Sequence, residues 1–103
     1  MDIRLVTRHI DRTQALFELA QRRAERAFSR FDDLVRSIEI RISDINGPRG
    51  GTGIACLARV RLSSGGDMLV EGSAVTPEAG VAHAIARLGG RVRRLASRRQ
   101  DHG

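Results

Sequence analysis

The spacing of apolar residues switches between two and about 3.6 along this chain, and the order of those switches decides which fold classes it can enter. Over residues 34–43, Ile38, Ile40 and Ile42 alternate with Glu39 and Arg41, which predicts a strand with one face in a core and the other in water. Residues 54–62 repeat the pattern, with Ile54, Cys56, Ala58, Val60 and Leu62 inward and Arg59 and Arg61 outward. A shorter version at residues 3–7 sets Ile3, Leu5 and Thr7 against Arg4 and Val6, and residues 68–75 form a fourth strand interrupted at Gly72.

Two segments carry the longer period. Leu16, Leu19, Ala20, Ala24, Ala27, Phe28 and Phe31 recur with helical spacing, with Asp11 as the expected N-cap, Gln14 at the reciprocal position and an end near Phe31 or Asp32. Thr76, Pro77 and Glu78 open the last helix: a capping hydroxyl, a proline where no N–H is needed, and an acid suited to the dipole. Its core stripe is Val81, Ile85, Leu88, Val92 and Leu95, five residues within a sector of about 80° at 100° per residue. The pair Gly89 and Gly90 should weaken this helix by about 1 kcal/mol each unless close packing needs it. The chain after Ser97 loses the pattern and is expected to fray, with 100–103 as a tail.

Residues 44–53 are dense in Asp, Asn, Gly and Pro and read as a loop joining two antiparallel strands, while Gly65 and Gly66 mark a hairpin turn. The order is βαβββα. A helix between the first two strands favours a parallel crossover, and the remaining strands should form a meander. The expectation is an α+β domain over residues 1–99: a four-stranded mixed sheet with two helices packed on one face.

Charge narrows the choice of partner. The 103 residues hold eighteen basic and twelve acidic side chains, a net charge of +6, and all eighteen basic residues are arginine. Guanidinium forks suit bidentate contact with phosphate, and a surplus of this size points to a polyanion. On the last helix His83, Arg87, Arg91, Arg94 and Arg98 share one stripe opposite the core face, and no acid occurs between Ala79 and Gln100. On the first helix Arg22, Arg26 and Arg30 form a second ladder, partly offset by Glu18 and Glu25. With the helices side by side, both ladders would flank one basic groove able to follow a phosphate backbone. The bland alternative, a merely solvated helix face, leaves this crowd of like charges unexplained.

Trp and Tyr are absent and the three Phe fall in the first-helix region, so stacking of bases on aromatic platforms is largely excluded and recognition by shape and phosphate remains. The lone Cys56 forms no internal disulfide and lies in an inward register; His9 beside Asp11 lacks a convergent acid/base set; Gly50, Gly51, Thr52 and Gly53 lack the lysine and the following helix of a phosphate loop. No enzyme activity, cofactor or metal is expected. No apolar run reaches the ~20 residues that span a bilayer, and the N-terminus lacks the layout of a secretory signal, which predicts a cytoplasmic protein without a membrane partner.

Thr7, Arg8, His9, Ile10 and Asp11 followed by Thr13, Ala15 and Leu16, then Arg30, Phe31 and Asp32, then the run from Asp44 through Asn46, Gly47, Pro48, Arg49, Gly50 and Gly51, together resemble the ribosome hibernation promoting factor family, formerly called sigma-54 modulation protein. The likeness extends through about Arg99, and the Asn-Gly-Pro-Arg-Gly-Gly loop is its most specific element. It implies a fold like that of double-stranded-RNA-binding domains, a seat in the small-subunit channel used by messenger and transfer RNA, and silencing of translation in resting cells. Carried over by position, the RNA contacts implied are Arg22, Arg26 and Arg30 on the first helix and Arg87, Arg91, Arg94 and Arg98 on the second. Gly80 and Ala82 stand where many members carry an acid and a tyrosine, so contacts of that tyrosine do not carry over. The chain resembles the short form, which implies that pairing two ribosomes needs another factor. A module that binds an acidic protein or modulates transcription, and a generic structured-RNA binder, stay open as alternatives, as does a homodimer through an exposed edge strand.

Overall fold

The computed structural model describes residues 1–45 and 53–101, of which 99–101 by backbone alone. The elements run β1 (Asp2–Arg8), α1 (Gln14–Phe28), a 3-10 turn (Ser29–Phe31), β2 (Val35–Asp44), β3 (Ile54–Leu62), β4 (Asp67–Ala74) and α2 (Pro77–Asp101). The four strands form one sheet in the order β1-β2-β3-β4. β1 lies parallel to β2, with Leu5 opposite Ile40, and the β2–β3 and β3–β4 pairs are antiparallel, as the periods predicted. β2 and β3 are joined by residues 46–52, so the loop quoted in the resemblance lies outside the described residues; Ile45 N–H donates to Gly53 O at 2.8 Å where the strands begin to part. The β3–β4 hairpin closes with Leu62 N–H on Gly66 O at 3.0 Å. Gly65 and Gly66 turn it at φ of 96° and 86°, a region that costs any residue with a Cβ.

One face of the sheet is apolar because period two puts every second side chain there. Leu5, Ile38, Ile40, Ile42, Cys56, Ala58, Val60 and Val70 are buried against Leu16, Ala20, Ala24 and Phe28 of α1 and Val81, Ala84, Ile85, Leu88 and Val92 of α2. Removing each large member from water stabilises the fold by roughly 1.5–3 kcal/mol, which is what holds both helices to one side. Leu95, the last of the five expected stripe residues, is only half-buried.

Three local expectations are corrected. The N-cap of α1 is Thr13, whose Oγ1 accepts from Leu16 N–H at 3.1 Å, and not Asp11. Asp11 O accepts instead from Thr13 N–H in the turn that follows His9, whose φ is 60°. Gln14 does not reach back to the cap; its Nε2 donates forward to Glu18 at 3.2 Å. Finally, α2 remains helical through Asp101, beyond Ser97 where fraying was expected.

Two of the three glycines of α2, Gly89 and Gly80, sit against other elements. A Cβ on Gly89 would lie 3.6 Å from Ala27 Cβ, so this pair marks the close approach of the two helices. A Cβ on Gly80 would lie 3.4–3.6 Å from Ile42, Ile54 and Cys56, so an acid at this position would be held away from water.

Candidate nucleic-acid interface

α2 begins where the sequence predicts. Thr76 Oγ1 accepts from Ala79 N–H at 3.1 Å, Thr76 O accepts from Gly80 N–H at 2.9 Å, and Pro77 stands where no donor is required. With Val81, Ile85, Leu88 and Val92 fixed on the sheet, the helical period turns Arg87, Arg91, Arg94 and Arg98 to one flank, all four exposed. Arg87, Arg91 and Arg94 line one shallow depression of about 250 Å³ with Ala86 and Gly90, and Arg94 and Arg98 line the next, of about 290 Å³, with Ser97. Sharing Arg94, the two make one continuous stripe; from Arg87 to Arg98 it covers about 16 Å of helix. His83 stands at its N-terminal end, over Gly72 of β4: a Cβ on that glycine would lie 3.2 Å from His83 Cδ2.

The stripe does not face α1. Gly89, which meets Ala27, lies roughly 160–200° around α2 from Arg91 and Arg87 at 100° per residue, so the seam between the helices and the stripe occupy opposite flanks. Arg87 and Arg91 turn instead to the edge strand β4, where Arg87 Nη1 donates to Glu71 O at 2.5 Å and Arg91 Nη1 to Leu69 O at 2.7 Å. The expectation that both ladders flank a single groove is therefore corrected. Arg22 and Arg26 stay exposed on α1, whereas Arg30, expected on the same helix, lies in the 3-10 turn that follows it, exposed and with its guanidinium 5.0 Å from the centre of the Phe31 ring.

Two arginines left out of the ladders border the seam: Arg23 lies about one turn before Ala27 and Arg93 one turn after Gly89, both exposed. A Cβ on Gly90 would lie 3.7 Å from Arg93 Nη2 and from Arg94 Nη1, so the missing side chain leaves room for both guanidinium groups. Grouping arginines by i, i+4 spacing missed Arg23 and Arg93. The small residues Ala27 and Gly89 were the available signal, since they mark where two backbones can approach.

Three arginines of the open sheet face have carboxylate partners that the helix arginines lack. On the open face of the sheet, Arg41 Nε is 2.9 Å from Glu39, Arg59 is 3.7 Å from Glu39 and 3.9 Å from Asp67, and Arg61 is 3.9 Å from Asp67. Among the described residues none of Arg22, Arg23, Arg26, Arg30, Arg87, Arg91, Arg93, Arg94 and Arg98 pairs with a carboxylate. The helices thus hold like charges at close range that no ion pair among the described residues relieves, a field that attracts anions.

Other chemistry is thin. Cys56 is buried in β3, and that burial pushes its thiol above the usual range, with Arg87 opposing in part, so the thiolate nucleophile is disfavoured. A depression of about 450 Å³ on the open sheet face is lined by Thr7, Arg8, Arg41, Ser43, Cys56 and Glu71, among others; the lining has two hydroxyls and the buried thiol but no histidine to activate them. No group of metal-ligating side chains and no helix long and apolar enough to cross a membrane occurs among the described residues.

Two solved structures share this architecture. The N-terminal domain of Protein Y from Thermus thermophilus is 22% identical, with 92% of this chain and 99% of that chain covered at a TM-score of 0.76. A ribosomal subunit interface protein from Coxiella burnetii is 18% identical, with 94% and 99% covered at a TM-score of 0.78. At these identities the likeness establishes the fold. No curated protein sequence matches. The family model described as sigma 54 modulation protein / S30EA ribosomal protein matches residues 3–100, nearly the whole chain, in agreement with the resemblance read from the loop and helix motifs, and the chain belongs to that family.

Proposed function

We propose that this chain is a non-enzymatic, cytoplasmic ribosome-binding protein that occupies the messenger and transfer RNA channel of the small subunit and silences translation in resting cells. The observation that carries the reading is a contrast in arginine partners: Arg41, Arg59 and Arg61 on the sheet face pair with Glu39 and Asp67, whereas the arginines of α1, the 3-10 turn and α2 pair with no carboxylate among the described residues. Family membership and the subunit-interface name of one structural neighbour support a ribosomal target. Arg87, Arg91, Arg94 and Arg98 contact phosphates along α2, His83 extends the row, and Arg22 and Arg26 on α1 with Arg30 in the following 3-10 turn form a separate contact area. Stacking contributes little, because Phe28 is buried and Phe17 and Phe31 are packed against the core.

The test is co-sedimentation with small subunits of a variant carrying Arg91→Glu, Arg94→Glu and Arg98→Glu. Loss of the pelleted fraction, with an unchanged circular dichroism spectrum, is expected. Full retention by the folded variant removes α2 from the interface. An acidic protein partner, the second reading, gives a much shallower dependence on salt than RNA does. A generic RNA binder captures free hairpins as tightly as subunits.

A further inference from the structure

β4 is an edge strand, and its free side would ordinarily offer unpaired N–H and C=O groups to another strand. Residues two apart along a strand point their backbone groups the same way, so the outward set here is Asp67, Leu69, Glu71 and Ser73. The carbonyls of Leu69 and Glu71 are already taken, by Arg91 Nη1 at 2.7 Å and Arg87 Nη1 at 2.5 Å. The match follows from two periods. Arginines four apart on a helix are separated by about 6 Å, and carbonyls two apart on a strand by about 6.7 Å, so neighbouring side chains of α2 serve successive outward carbonyls. Since the higher-numbered arginine takes the lower-numbered carbonyl, α2 passes along this edge antiparallel to β4. Arg94 and Arg98, on the same stripe, make no such bond among the described residues.

We infer that Arg87 and Arg91 act as guards of the β4 edge, and that the surface they close is one on which a second copy of this chain would pair, antiparallel and edge to edge. Self-complementarity favours that occupant. Two β4 strands related by a twofold axis place the same four outward residues opposite one another, so each copy supplies the donors and acceptors the other lacks. With the guanidinium groups in place, two of the four acceptors on each copy are occupied and the long side chains cover the approach. Each guanidinium spends one of its five N–H donors on β4, so edge protection and phosphate binding can coexist on the same residue.

Four arginines on one stripe, two bonded to the edge and two not, give an internal control. Arg87→Met with Arg91→Met keeps much of the aliphatic length and removes the donors. By sedimentation velocity this variant is expected to self-associate at least tenfold more tightly than the parent chain, a change of about 1.4 kcal/mol. Arg94→Met with Arg98→Met removes the same charge and should leave self-association unchanged. Adding Glu71→Pro to the first variant deletes an outward N–H without touching the β3 ladder and should reverse the effect. If the folded Arg87→Met, Arg91→Met chain stays as monomeric as the parent, the inference is overturned, and equal association by the Arg94 and Arg98 variant overturns it too. A measurement on the unaltered chain covers the case of a variant that does not fold. Arginine side-chain NMR should give slowed Cζ–Nη rotation for Arg87 and Arg91 and averaged signals for Arg94 and Arg98; averaged signals from all four also overturn it.

Discussion

Salt dependence tests the proposed interface most directly, because the number of phosphates neutralised sets a slope as well as an affinity. Seven helix arginines in the assigned set predict a slope of log affinity against log salt of about −6.3 on duplex RNA, taking about 0.9 per contact as for a DNA duplex. Arg94→Gln with Arg98→Gln removes two contacts and leaves Arg87 and Arg91 on the β4 carbonyls, so neither the edge nor the core is disturbed. The slope should fall to about −4.5. Between about 50 and 200 mM salt the parent chain then loses roughly 3.8 decades of affinity and the variant roughly 2.7. Fluorescence anisotropy of labelled protein titrated with small subunits at four salt concentrations measures both lines. Parallel lines would refute the argument: if Arg94 and Arg98 touched phosphate, their loss could not leave the slope unchanged.

Three further outcomes follow from the packing. Gly90→Ala should stabilise the chain by up to about 1 kcal/mol, since the new Cβ meets only the Arg93 and Arg94 guanidinium groups at 3.7 Å, and should raise Tm by roughly 4–8 °C in calorimetry; a lower Tm contradicts the reading of open space there. Thr13→Ala should cost about 1 kcal/mol in a urea titration and Asp11→Ala much less, an order that would invert if Asp11 were the cap. Cys56 should react with a thiol reagent far more slowly in the native protein than in denaturant at the same pH, because burial disfavours the thiolate; equal rates would show that β3 is open to solvent.

Much of the architecture was legible because it rests on local periods. The alternation around Ile38, Ile40 and Ile42, the i, i+4 spacing of Leu16, Ala20, Ala24 and Phe28, and the Thr76–Pro77 start signal each act within a few residues, and each element formed where its pattern lies. The cap of α1 was not settled at that range. Asp11 and Thr13 are both good caps, and the choice fell to the backbone turn after His9, which spends the Asp11 carbonyl on Thr13 N–H.

The site divides the same way. Spacing alone determined that Arg87, Arg91, Arg94 and Arg98 share a helix flank, with no acid between Ala79 and Gln100, because helical geometry leaves them no other arrangement. Which way that flank turns was a tertiary decision. The core stripe of α2 can rest on the sheet with either side toward α1, and the contact between Ala27 and Gly89, two residues remote in sequence, selected one. That contact sent the arginine stripe to the β4 edge and left Arg23 and Arg93 along the seam. No local pattern carries that information, since it depends on how closely two backbones can approach, and only the packed pair of helices fixes it.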